Sequence, residues 1–301
     1  MTDIKSNQIE LVKTVNKLYY EIEAESYDND YCPIFEGDFH WWDYVGDKYI
    51  KNFFRSSQKI SLLDIGSGTG FVVEVVLRYL KKEDKVFCYD ISPGMIEYAK
   101  RKFSKNGINN IDFIVGDLDS ELPFENESID IITCNSVLHH IPKLDVLSKE
   151  VDRILKKSGL FIAGHEPNKC FFDSFFNRFL ATLYREITGW QVQPEIVNKI
   201  NAKLKEMGFI NKDISRKRIS SLIEFNSPTE QEFVDKDKGL SFQELHNKYF
   251  RNYSILEYKE YVTFFHRKIF QKNLLLKKTL ENISKILLNN KGNLFGFVMK
   301  K

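Results

Sequence analysis

Residues 62–70 read LLDIGSGTG, and this stretch restricts the chain more than any other. The apolar run 60–65 is short and bounded by glycine, as a buried strand of a parallel sheet should be. It runs straight into glycines at 66, 68 and 70. After Gly70, FVVEVVLRYL carries the apolar spacing of a helix packed on that sheet. The unit then recurs. KVFCYD (85–90) reads as a strand, and Ser92-Pro93 as the N-cap and first turn of a helix GMIEYAKRKF. IDFIVGD (111–117) and IDIITCNS (129–136) read as strands. Leu144, Leu147, Val151 and Ile154, spaced by three and four, mark a helix closed by Gly159, and LFIAG (160–164) reads as a fifth strand. Strands alternating with helices predict an α/β, doubly wound parallel sheet with right-handed crossovers. In such sheets ligands bind beyond the carboxyl ends of the strands. Here those ends are polar or flexible: Asp64 to Gly70, Asp90, Asp117, Asn135-Ser136 and His165-Glu166.

Beyond residue 165 the pattern loosens. Helices are expected at 170–190, 194–209, 241–250 and 267–288, strands at 253–265 and 292–300, and irregular chain over 210–240. The economical account is a Rossmann-like seven-stranded sheet with an α-helical cap insertion. Four segments follow: an N-terminal helical lid (1–57), a cofactor-binding core (58–167), a helical cap (168–240) and a C-terminal completion of the sheet with an inserted helix (241–301).

The glycine spacing narrows the ligand. A dinucleotide fingerprint is G-x-G-x-x-G; here it is Gly66-x-Gly68-x-Gly70. The Lys-Ser/Thr ending of a phosphate loop is missing, and the acid ahead of the loop, Asp64, favours a cation over a phosphate. At these residues the chain resembles the class I S-adenosylmethionine-dependent methyltransferases. LLDIGSGTG looks like that family's first motif, and Asp90, the segment GDLDSELPFENESIDIITCNSVLHHI and LKKSGLFIAGHEP extend the likeness over about 58–166. The resemblance implies S-adenosylmethionine as cofactor, S-adenosylhomocysteine as product, and no metal. It places Gly66, Ser67, Gly68 and Gly70 against the methionyl portion and sulfonium, and Asp64 near its amino end. Asp90 would accept from the ribose hydroxyls, with Ile91 and Met95 along the adenine. Asp117 would accept from the adenine amino group beside Leu118. Asn135 and Ser136 would lie where the methyl group departs, and Tyr27 would close over the cofactor, with Tyr19 or Tyr20 as a second lid residue.

In-line methyl transfer needs positioning and exclusion of water, and a general base where the acceptor loses a proton. His140 and His165 are the catalytic candidates, with His139 and Glu166 beside them. Trp41 and Trp42 stack on a ligand or pack the first helices on the sheet. Phenylalanines through 170–190 form the buried face of a cap helix or an apolar acceptor pocket, and the basic amphipathic C-terminal helix presents a solvated face or a peripheral membrane contact. A net charge of +2 gives no reason to expect nucleic acid. Four dispersed cysteines without metal spacing, a polar N-terminus and no long apolar run suit a reduced, cytoplasmic protein. The expected function is methylation, O- or N- ahead of C-, of a small-molecule or lipid-like acceptor. The rivals are an NAD-dependent oxidoreductase and a non-catalytic module on the same fold.

Overall fold

The computed structural model describes residues 2–53, 59–175, 177, 179, 192–223, 234–235, 239–261 and 292–301. Among the described residues, besides a short antiparallel pair at Val234–Asp235 and Gly239–Leu240, there are seven strands: β1 (Ser61–Ile65), β2 (Lys85–Asp90), β3 (Ile111–Val115), β4 (Ile129–Asn135), β5 (Leu155–Pro167), β6 (Ser254–Tyr261) and β7 (Leu294–Lys300). They form one sheet in the order β3-β2-β1-β4-β5-β7-β6. The first five pair in parallel, and β7 lies antiparallel between β5 and β6. From β1 the chain winds outward on one side and then returns to wind outward on the other. The switch in strand order therefore falls between β1 and β4, where ligands collect in open α/β sheets.

The helices are α1 (Thr2–Glu23), α2 (Tyr27–Val45), α3 (Phe71–Val76), α4 (Pro93–Lys105), α5 (Leu144–Ile154), α6 (Pro194–Glu206), α7 (Arg216–Ile223) and α8 (Phe242–Tyr249). Side chains alternate across a strand, so Leu62 and Leu63 enter different cores. Leu63, Ile65, Phe161 and Phe297 pack with Leu147 and Val151 of α5 and Leu245 of α8. Leu62, Ile131, Ile162 and Val298 pack with Trp42 of α2, Val73 of α3 and Phe103 of α4. The Ser92 hydroxyl caps α4 by accepting from the Met95 N–H, with Pro93 in the first turn.

Three expectations change. First, α5 ends at Ile154 and not at Gly159, because Leu155 already pairs with Ile129 and opens β5. Second, the span 210–240 contains α7. Its charged residues hide an apolar face, and Ile219, Leu222 and Ile223 pack against Val12 and Val15 of α1 and Ile200 and Leu204 of α6. The expected lid and cap thus meet in one helical layer. Third, the helix expected at 170–190 is broken: the described residues are helical over Lys169–Phe172 and again at Phe175, Asn177 and Phe179, with a turn at Asp173 and Ser174 between. Phe171 is buried, whereas Phe175 and Phe179 are exposed. The rest of that segment and the helix expected at 267–288 lie outside the described residues. Among the described residues no helix is long and apolar enough to cross a membrane.

Candidate active site

The glycine loop turns in left-handed backbone. Gly66, Gly68 and Gly70 have φ of 62°, 52° and 81°, a region glycine enters without steric cost. A Cβ on Gly66 would stand 2.4 Å from a Val137 methyl, so the loop sits directly against the turn that follows β4. A Cβ on Gly68 would meet no protein atom within 4 Å. That backbone is left open on the side where a ligand would approach.

Asp90, at the end of β2, is buried, and its carboxylate ties two turns together. One oxygen accepts from the Gly68 N–H at 2.8 Å and the other from the Ser92 N–H at 2.8 Å. Burial raises its pKa above the ordinary carboxylate value against the pull of those N–H groups. Asp117, beyond β3, accepts from the Asp119 N–H at 2.9 Å and forms an ion pair with Lys13 of α1. Lys13 also reaches Asp119 at 3.1 Å. Burial would lower the Lys13 pKa, but the two carboxylates outweigh it and raise it.

These residues line one cavity of about 320 Å³ beyond the carboxyl ends of β1, β2 and β4. Gly66, Ser67, Gly68, Asp90, Ile91, Met95, Asp117 and Leu118 form one end. The other end takes in Tyr27, Asn135, Ser136, His140 and His165, together with Asp38, Tyr19 and Tyr20. The α1–α7 layer closes the cavity through Lys13, Asn16 and Ile223. Two expected residues do not line it. Gly70 caps α3 and faces Phe103, whose ring a Cβ would meet at 2.5 Å. Asp64 lies within the sheet, where Oδ1 accepts from the Thr133 hydroxyl at 2.7 Å. Burial pushes its pKa up to about 8 against the pull of Thr133, and Asp90 adds to the rise.

At the second end three histidines stand in different surroundings. His139 and His140 occupy a 3-10 turn after β4. Glu166, fully buried, accepts from the N–H groups of Val137, Leu138 and His139 and meets His139 Nδ1 at 2.8 Å. His140 packs on the His139 ring with centroids 4.0 Å apart and edge-on to Tyr20. Burial, with His139 adding, takes its pKa well below the ordinary value. His165 lies inside β5 and not after it. It has φ of 55° at the point where the β5–β7 register shifts between Ala163 and Glu166, and a bulge of this kind re-aims a side chain. Its Nδ1 meets Asp38 Oδ1 at 2.6 Å. Burial would lower its pKa, but the Asp38 carboxylate outweighs that and holds it above the ordinary value. Asp38 Oδ2 accepts from Asn135 Nδ2 at 3.2 Å, and Asn135 Oδ1 accepts from Trp42 Nε1 at 2.9 Å. Trp41 donates to the Ala163 carbonyl. Both tryptophans are buried and pack α2 on the sheet, outside the cavity wall.

Asp38, Lys13 and Asn16 carry no sequence signal for a site, since each is a single polar residue on an amphipathic helix. Thr69, inside the glycine loop, was readable from its position, and it lines the cavity with a buried hydroxyl that has no hydrogen-bond partner among the described residues.

Sheet order, switch point and glycine loop together define the class I methyltransferase architecture. Residues 63–163 match the methyltransferase domain family, and the chain carries a domain of that class. It is similar to the uncharacterized methyltransferase YcgJ of Bacillus subtilis, 33% identical over 118 residues, 38% of this chain and 45% of that protein. It is also similar to the arsenite methyltransferase of Halobacterium salinarum, 26% identical over 179 residues, 60% of this chain and 43% of that protein. A third relative is the ubiquinone/menaquinone biosynthesis C-methyltransferase UbiE of Bartonella tribocorum, 30% identical over 102 residues, 34% of this chain and 39% of that protein. The chain spans less than half the length of these relatives. In fold it resembles the candidate methyltransferase in the complex with the Haloferax volcanii Trm112 methyltransferase activator. That likeness has a TM-score of 0.52 and 17% identity, covering 93% of this chain and 96% of that one.

Proposed function

We propose that this chain is an S-adenosylmethionine-dependent methyltransferase acting on a small-molecule or lipid-like acceptor in a cytoplasmic setting. The observation that carries the reading is the open backbone at Gly68, clamped by Asp90 at the switch point of a methyltransferase domain. The residues fit the group. On the cavity wall the buried Thr69 Oγ1 has no partner among the described residues, and buried polar atoms in folded proteins are generally paired. When bound, S-adenosylmethionine supplies a methyl group on a sulfonium.

The chain's own residues do the rest. The loop from Gly66 to Thr69 would hold the methionyl portion, and Asp90 the ribose hydroxyls through its remaining lone pairs. Ile91, Met95 and Leu118 would flank the adenine, and Asp117 would share its carboxylate between Lys13 and the adenine amino group. Tyr20, edge-on to both Tyr19 and Tyr27, would with them exclude water from above. The acceptor would enter at the histidine end. Relatives named for arsenite and for quinone carbon widen the range of acceptors considered, and O- or N-methylation is the reading favoured here.

Calorimetry with S-adenosylhomocysteine and with NADH tests the donor. Binding of the first alone is expected, weakened at least 100-fold in Asp90→Ala because the Gly68 and Ser92 turns lose their clamp. Tight NADH binding with no response to S-adenosylhomocysteine would overturn the reading. A screen for S-adenosylhomocysteine release across lipid, phenol, amine and sugar acceptors then addresses the acceptor.

A further inference from the structure

We propose that His165 is the general base of this site and Asp38 its positioning residue, so that the acceptor is a hydroxyl or an amine that surrenders its proton to His165 Nε2. The inference rests on the methyltransferase reading and adds the base and its positioning residue. Among the cavity histidines, His165 is the one whose ring meets the buried Asp38 carboxylate. His140 packs on the His139 ring and edge-on to Tyr20. The carboxylate of His139 is consumed in capping a turn, where Glu166 already accepts three backbone N–H groups. Glu166 is therefore an anchor for the 3-10 turn, and His139 is pinned with it.

Asp38 is built differently. It is 1% exposed, and its two oxygens serve two cavity residues, His165 and Asn135. A carboxylate is only an acceptor, so Nδ1 of a neutral His165 must carry the proton, and the lone pair falls on Nε2. Among the described residues Nε2 has no recorded partner, and the side chain keeps 18% of its surface accessible on the cavity wall. The backbone is held as firmly as the ring. The His165 N–H donates to the Tyr261 hydroxyl of β6 at 2.5 Å, within the bulge. The charged and titratable groups facing His165 are Asp38 from α2, Glu166 beside it in β5, and Tyr261 from β6. Burial keeps the Tyr261 phenol well above its ordinary pKa and therefore neutral. Asp38 is the one that touches the ring.

The proton balance closes on these atoms. The acceptor oxygen or nitrogen uses a lone pair to form the bond to the methyl carbon. The carbon–sulfur bond breaks with its pair going to sulfur, and the positive charge lost there reappears on His165 as the acceptor's proton arrives at Nε2. The imidazolium so formed lies against the Asp38 carboxylate, which stabilises it.

The first measurement is the imidazole nitrogen spectrum of the ligand-free protein, with 15N-labelled histidine, across pH. Neutral His165 is expected as the Nδ1–H tautomer, titrating above an ordinary histidine. In Asp38→Asn the titration should move down by about one unit or more, while S-adenosylhomocysteine binding stays within about 3-fold. An Nε2–H tautomer in the wild-type protein overturns the proposal, even should Asp38→Asn fail to fold, and so does an unmoved titration. The second measurement is turnover on a catechol, a primary amine and a 1,3-diketone. Methylation of the catechol or the amine is expected. Its kcat should rise with pH through the His165 pKa, and this limb should move to lower pH in Asp38→Asn. In His165→Gln, kcat should fall about 100-fold with S-adenosylhomocysteine binding retained. Turnover confined to the diketone, no methyl on the catechol or the amine, or an unmoved limb overturns it. Failure of the wild-type protein to bind S-adenosylhomocysteine at all would bring down the methyltransferase reading instead, and the base with it.

Discussion

The two ends of the cavity are made in different ways. At the glycine-loop end, every residue that touches the cavity from the sheet belongs to a strand end or to the turn directly after it: Gly66 to Thr69 after β1, Asp90 and Ile91 after β2, Asp117 and Leu118 after β3. The bonds that hold them are mainly backbone N–H groups given to carboxylates a turn or one crossover away. At the histidine end, side chains hold side chains across the fold. Asp38 from α2, Asn135 from β4 and His165 from β5 form one chain of contacts, with Trp42 behind it. The first end needs only a strand, a turn and a helix in sequence. The second exists only when α2 lies on the sheet and β5 is bulged. This is why one end can carry a shared cofactor and the other can vary with the acceptor.

The contrast can be broken most sharply at Glu166. Its carboxylate holds three N–H groups of the turn after β4 and the His139 ring while fully buried. Glu166→Gln would turn an amide N–H₂ toward those donors. A loss of about 3 kcal/mol is expected, as when one partner of a buried charged network is removed. Thermal unfolding should show it as a melting point lower by roughly 4–6 °C. A shift within error would mean that the histidine end is held by packing alone.

A pH-dependent effect is expected at Asp64, beneath the glycine-loop end. Its carboxyl has a pKa of about 8 in the folded chain against an ordinary value of 3.8. Between these values the folded protein keeps a proton that the unfolded chain has released, so raising the pH favours unfolding. Stability of the ligand-free protein should fall from about pH 4 to pH 8, and Asp64→Asn should flatten that slope. Urea unfolding at pH 5 and pH 7.5 reads it directly; equal slopes in the two proteins would show the carboxyl to be ionised when buried.

The smallest effect belongs to the joint between the ends. Lys13 ties α1 to Asp117 and Asp119, but α1 is also held by the apolar cluster with α6 and α7. Lys13→Met should cost about 1 kcal/mol and speed amide exchange in α1 a few-fold, with the sheet amides unchanged. Uniform acceleration across the whole chain would mean that the helical layer does not open separately from the core.

What the amino-acid sequence determined by itself is the glycine-loop end and the sheet that presents it. Strand alternation, the Ser92-Pro93 helix start, the glycine spacing and the acids at 90 and 117 are all local, and turn chemistry and side-chain periodicity act over a few residues. Aromatic density and charge told less: neither showed that α7 closes the cavity with α1, and they left Trp41 and Trp42 open between a ligand and the sheet. Only the tertiary structure decided the histidine end. Asp38 meets His165 across 127 residues of chain, Trp42 meets Asn135 across 93, and Lys13 meets Asp117 across 104. No local preference encodes such pairs. They form because burying the apolar faces of α1 and α2 brings their few polar residues against the strand ends, where each must find a partner.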